Sequence, residues 1–415
     1  MPRSVLALWA MGIVCTISNV WAEDNEPGQF SVIEFGAVGD GSTDATAAFQ
    51  KALDTAGGSG GVVRVPLGNY LIAGTLSVPA DVTLEGVWTG PPRSKNSKGS
   101  TLLATAGKGE VDGVPFITLH ESSMLKGLVV FYPDQVDSET PHAYPWTVRG
   151  IGDNCTITDT LLVNPYQGVD FGTYPAGRHF IRALYMQALY KGIFVDKCFD
   201  VGRIEDAHIW PFWSTEGPVR KFTEREGIAF LFGRTDWEYV SNSFCIGYKI
   251  GFHFDSYNDG PGNVLVTQSG SDVGPCAVRV EQVQAHSGIT FANCQMMAGI
   301  EVGPDNRGPV KFTATGFWPI DSTSSHAILE GKGHTFFEAC NFSDWDKAKT
   351  GAACIVANND GLTVTGCDFM AEGKAQIQLG ENVQAAIITS NRLRGGAKIE
   401  NLSKGDVQIG LNTER

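Results

Sequence analysis

The chain has 415 residues, of which 18% are charged and 50 are glycine, and its formal net charge is −14. That composition excludes an intrinsically disordered chain. The negative charge argues against nucleic acid or an anionic membrane surface as a partner.

The chain opens MPRSVLALWAMGIVCTISNVWAEDNEPGQ. Arg3 precedes an apolar run from Val5 to Val14, and Ala22 precedes Glu23 and Asp24. This pattern predicts a signal peptide over 1–22 and a secreted or periplasmic protein. The run is too short for a membrane span, and no later segment approaches the ~18 apolar residues one needs. Residues 23–415 are then expected to form one domain. It has an N-terminal strand and capping helix over 30–60, coils over 61–415, and long loops at 131–150 and 210–226.

The segment VIEFGAVGDGSTDATAAFQKAL, 32–53, runs from a strand-like piece through a glycine turn into a helical pattern. Thr43 or Asp44 is the expected N-cap and Gly57-Gly58 the stop. Ala48, Phe49, Ala52, Leu53 and Ala56 share one face. The pieces GVVRVPLGNYLIAG and DVTLEGV follow as strands.

From Thr160 onward a short pattern recurs: apolar, two residues, a small or polar residue, one residue, apolar. Its centres are Thr160, Ala183, Ala207, Asn242, Gln268, Cys294, Thr315, Cys340, Cys367 and Asn391. A strand-only unit of roughly 24 residues cannot bury its apolar face alone and must stack on its neighbours. The expected fold is all-β: a single-stranded parallel β-helix of roughly 10–12 coils, its open end covered by the short helix within 30–60. Eight cysteines remain after the leader, and Cys294, Cys340 and Cys367 share the inward phase of Thr315 and Asn391. Inward free thiols are the first reading, and disulfides between stacked coils the second.

Residues 30–90 resemble the start of the pectate-lyase-like domain of right-handed parallel β-helix proteins. These include polygalacturonase-like and rhamnogalacturonase-like glycosidases, polysaccharide lyases and phage tailspikes. The resemblance implies the fold and a carbohydrate substrate. It supplies no reaction, because such a scaffold hosts several chemistries. The Asn-Thr-Asp, Asp-Asp, Gly-His-Gly and Arg-Ile-Lys motifs of polygalacturonases are absent from the sequence.

Each repeat core is followed by a second strand: GVDFG, GIFVD, GIAFL, GFHFD, AVRVE, GIEVG. Alternation turns Asp170, Phe194, Ala229, His253, Arg279 and Glu301 outward. Asp196, Leu231, Asp255 and Glu281 form the next outward row. Coils stacked about 4.8 Å apart would bring His253, Arg279 and Glu301 into a column. An acid, a base and a cation at that spacing suit proton transfer at a sugar ring. Arg279, His253, Glu301, Asp255 and Asp170 are therefore the candidate catalytic residues. By the resemblance, an outward arginine serves as the base in several β-helix lyases.

The loop at 210–226 places Trp210, Phe212 and Trp213 together, as a wall on which a sugar could stack. Arg220, Lys221 and Arg225 follow as candidates for binding carboxylates, with Glu281 also placed toward the substrate. The loop at 131–150 carries Tyr132, His142, Tyr144 and Trp146 as a second wall. Calcium is conceivable at Asp255 and Asp259 within DSYNDGPGN, while no histidine pair has zinc spacing. The expected function is cleavage of a polysaccharide or oligosaccharide, uronate-containing, by lyase or glycosidase chemistry. The alternative is a non-catalytic carbohydrate-binding or cell-surface protein.

Overall fold

The computed structural model describes residues 28–91, 98–257, 259–320 and 324–414. The leader at 1–22 lies outside them.

One strand per coil builds a 13-stranded parallel sheet that runs in order from Leu76–Val78 to Ile399–Asn401. The remaining strands form a 27-stranded sheet, again with every assigned pairing parallel. The stack is longer than the expected 10–12 coils, because the coils before Thr160 lack the recurring pattern. Among the described residues no helix is long and apolar enough to cross a membrane.

The repeat encodes a sharp corner that folds the larger sheet into two rows. At each corner one residue adopts the left-handed conformation, among them Asp159, Asp206, Asn242, Gln268, Asn293 and Ser390. The left-handed region costs an L-residue about 1–2 kcal/mol. The next residue offsets part of that cost by bonding back across the bend. The hydroxyls of Thr160, Ser243, Ser269 and Thr315 donate to the carbonyl two residues earlier, at 2.8, 2.9, 2.8 and 3.1 Å. The inward phase therefore belongs to Ser243 and Ser269, with Asn242 and Gln268 forming the corners, one residue from the expected centres. Leu184, likewise, is the inward residue in place of Ala183.

Cys294, Cys340 and Cys367 occupy the same inward position and contact the carbonyls of Ala292, Glu338 and Thr365. The Cys367 N–H donates to Asn391 Oδ1 at 2.9 Å, continuing the ladder into the next coil. All eight cysteines of the described chain are buried and free. Burial pushes the Cys294 thiol up to about 11 and that of Cys245 up to about 12, which makes both poor nucleophiles.

Large rings fill the interior in columns. Phe230 stacks on Phe252 at 4.8 Å and Phe232 on Phe254 at 5.3 Å. This pairing shifts the strand Ile228–Phe232 by two residues from the expected alignment, so that Leu231, and not Ala229, stands level with His253. The preceding insertion hid that register. Facing survives a two-residue shift because side chains alternate.

The first coil is closed by α1, Thr46–Gly57, whose Phe49, Ala52, Leu53 and Ala56 are buried. The cap lies at Ala45. Asp44 acts from one position earlier, its Oδ1 accepting the Thr46 N–H at 3.0 Å and the Ala73 N–H at 3.2 Å. Phe49 meets Tyr70 of the first coil edge-on at 5.3 Å.

Candidate functional site

The outer face of the 13-stranded sheet carries the predicted column. His253 pairs with Arg279, and Arg279 with Glu301, in direct register across successive coils. Phe194 and Leu231 continue the row below them. The parallel row one strand position further on holds Asp196, Asp255 and Glu281, with glycine at 233 and 303. A Cβ on Gly233 would lie 2.5 Å from Asp196 Oδ1 and 2.6 Å from the Tyr257 ring, and one on Gly303 would lie 2.6 Å from Glu281 Oε2. The two glycines thus make room for the carboxylates beside them.

Arg279 is held between two acids. Its Nε donates to Glu281 Oε1 at 2.7 Å, and its Nη1 bonds Glu301 Oε2. Burial works against its charge, but the carboxylates outweigh that and hold its pKa above the ordinary guanidinium value. This is the wrong direction for a base and the right one for a fixed clamp. Burial lowers the pKa of His253, against the opposing charges of Asp255 and Glu281. Its buried Nδ1 has no hydrogen-bond partner among the described residues.

Asp196 is buried. Burial, with the nearby Asp259 charge, raises its pKa even though the Arg234 N–H donates to Oδ1 at 2.6 Å. Asp255 is partly exposed and accepts the Ser256 N–H at 2.7 Å. Tyr257 is pushed up to about 12 by burial and by the charges of Asp255 and Asp196. Its ring meets Phe194 edge-on at 5.3 Å, and Phe194 in turn stacks on Trp146 at 6.1 Å. A carboxyl group with a raised pKa, a phenol, further carboxyl groups and an aromatic floor therefore share one surface.

Other expectations are corrected. Asp170 does not face solvent: it is fully buried, its Oδ2 bonded to Arg149 Nε at 2.5 Å and its Oδ1 to the N–H groups of Gly172 and Thr173. Arg149 sits in register beneath it on the preceding coil and satisfies the charge. Arg220 is bonded to Glu224 at 2.8 Å, and Lys221 and Arg225 both pair with Glu139. These cations already have protein carboxylates. In the loop at 131–150, Tyr132 and Tyr144 are core residues with rings 4.6 Å apart.

The two long loops form one wall. Asp137 Oδ1 accepts the Val219 N–H at 3.1 Å, capping α2, Pro218–Glu226, which has no cap of its own. Trp210 and Phe212 follow the strand His208–Ile209 of the larger sheet, whereas the column lies on the 13-stranded one. Trp210 packs with Phe212 at 4.8 Å, His208 at 4.1 Å and Tyr185 at 5.9 Å, over the larger sheet. Phe244 and Trp88 extend the strip. Trp213 is fixed through its backbone N–H to Gln187 Oε1 at 2.6 Å.

Sequence reading missed Tyr257, which is separated from its partners by a turn, and passed over Asp196, whose burial has no signature in the pattern. Among the described residues, no group of three His, Cys, Asp or Glu side chains close enough to hold a metal forms at Asp255 and Asp259.

Residues 29–133 match the family model described as rhamnogalacturonase A/epimerase, pectate lyase-like. The tail spike protein of Shigella phage Sf6 is 24% identical over 329 residues, which is 74% of this chain and 48% of that protein. The chain thus spans about half the length of that curated relative. Among solved structures, bacteriophage phi29 gene product 12 has a TM-score of 0.61 at 12% identity, over 92% of this chain and 56% of that one. The E. coli bacteriophage HK620 tailspike, in complex with a pentasaccharide, has 0.59 at 10%, over 91% and 79%. The A-module of an Azotobacter vinelandii mannuronan C-5 epimerase has 0.52 at 13%, over 93% and 99%. At these identities the structural likeness is one of fold. The N-terminal family match and the stacked parallel coils together make the chain similar to pectate-lyase-like parallel β-helix proteins.

Proposed function

We propose that the protein is an exported glycan-cleaving enzyme acting on the outer face of the 13-stranded sheet, by hydrolysis rather than elimination. The observation that carries this is the pair of rows from Phe194 to Glu301, where three outward acids, Asp255, Glu281 and Glu301, face one guanidinium, Arg279. That excess of negative charge would repel a polyuronate, so a neutral stretch of glycan is the better substrate. Asp255 is the reacting carboxylate. Asp196, whose pKa burial raises, and the Tyr257 phenol supply the proton, and the Glu281–Arg279–Glu301 network fixes the sugar's orientation. Asp196 and Asp255 stand two coils apart, about 10 Å between backbones. That span leaves room for a water, as in inverting glycosidases. Export rests on the apolar leader.

The half-exposed strip of Trp88, Tyr185, His208, Trp210 and Phe212 supports a second reading. It offers ring faces without acids, as a surface that only binds sugar does. A screen of neutral and uronate-containing glycans separates the readings, with reducing ends and unsaturated uronate absorbance followed separately. Reducing ends from a neutral glycan support hydrolysis. Unsaturated ends indicate elimination, and binding without new ends indicates the non-catalytic reading.

A further inference from the structure

Away from that face, the interior holds a cluster that the proposed reaction does not use. His179, Cys198 and Glu238 come from three successive coils at the corner between the two sheets: Phe180 pairs with Arg203 and Gly202 with Glu238. All three are buried. One ligating atom from each, the imidazole nitrogen, the thiol sulfur and a carboxylate oxygen, lies within 4.8 Å of the other two. We propose that these residues form a metal site for Zn²⁺ or a similar divalent transition ion, clamping the three coils together.

Four observations converge on this assignment. His179 Nδ1 lies 2.8 Å from the Ala176 carbonyl, so that nitrogen carries the proton toward the carbonyl and Nε2 is the one presented to the cluster. This is the arrangement by which metal-binding histidines are oriented. Nε2 is 3.0 Å from Glu238 Oε1, while Glu238 Oε2 is buried and has no hydrogen-bond partner among the described residues. A buried carboxylate oxygen left unsatisfied is costly unless something positive meets it. Third, a Cβ on Gly202 would stand 2.1 Å from that same Oε2 and 2.4 Å from His179 Cε1, so glycine keeps the space beside both ligands clear. Finally, imidazole, thiolate and carboxylate are the ligand types of tetrahedral zinc, and one thiolate with one carboxylate neutralises a divalent charge inside the protein. The Cys198 thiol now contacts the Asp200 carbonyl at 2.7 Å and would exchange that contact for the metal.

Binding displaces the proton of the Cys198 thiol to solvent, because the thiolate is the ligand. No electron transfer is involved.

The test uses the full chain under reducing conditions, stripped with a chelator and titrated with Co²⁺, and in a second arm refolded with Co²⁺ present. One equivalent should bind with a near-ultraviolet thiolate-to-cobalt band, be displaced by Zn²⁺ and raise the melting temperature. Cys198→Ser should abolish the band, and Glu238→Gln should weaken binding by more than about 100-fold, beyond the range of outer-shell changes. If the folded wild-type chain takes up no metal in either arm, the proposal fails. It fails equally if cobalt binds without the thiolate band, or if Cys198→Ser retains the same uptake.

Discussion

Arg149 Nε donates to Asp170 Oδ2 at 2.5 Å, joining two adjacent coils by a charge pair whose carboxylate is wholly buried. Removing one partner of such a pair strands the other. Arg149→Met should destabilise the protein by about 3–5 kcal/mol, whereas Arg149→Met combined with Asp170→Leu should recover most of that. Urea midpoints of the two variants decide it. Equal loss in both would show that the pair is not the cause.

The lid makes a separate prediction. Phe49 is buried between α1 and the first coil. Phe49→Asp places a charge there at a cost of several kcal/mol, and the expected outcome is aggregation or loss of soluble protein. A soluble variant with the wild-type melting temperature would mean that α1 does not seal the stack.

Asp196 should leave a mark on the pH dependence of stability. Its folded pKa is raised, first by burial. The native state thus keeps a proton that the unfolded chain loses near pH 4. Its contribution is fully present below that pH and is lost as pH rises through the raised folded value. Asp196→Asn should flatten the fall in unfolding free energy over that window. An identical slope in the variant would place the proton elsewhere.

The aromatic strip can be tested apart from the chemistry. Trp210 is only partly buried and packs on His208, Tyr185 and Phe212. If the strip binds sugar, Trp210→Ala should weaken oligosaccharide binding by about 1–2 kcal/mol, the scale of a lost ring contact, with little change in melting temperature. Titration and thermal melts on one sample read both. A fall in stability that accounts for any loss of binding would make the strip a packing feature.

How much of this was legible in the sequence follows from what each feature depends on. The lid and the coils were readable because Phe49, Leu53 and the recurring corners sit within one helix or one coil. The column of His253, Arg279 and Glu301 was readable because alternation fixes facing even when register is uncertain. Asp170 was misread as exposed because its partner, Arg149, lies one coil earlier in a strand with no repeat signature. Arg220 looked available because Glu224 neutralises it only once α2 forms. The cluster of His179, Cys198 and Glu238 was invisible: only stacking brings residues so far apart in the chain together.

The measurement closest to the central claim is turnover by Asp255→Asn on the glycan that the screen identifies, read as new reducing ends beside a thermal melt. Asp255 is partly exposed on the outer row between Gly233 and Glu281, and its charge bears on Tyr257. The account predicts that turnover falls by roughly 10²–10⁴-fold, the range typical of acid–base groups, while the melting temperature stays near wild type and no unsaturated ends form with either protein. Near-wild-type turnover in Asp255→Asn, or unsaturated ends from the wild-type protein, would contradict it.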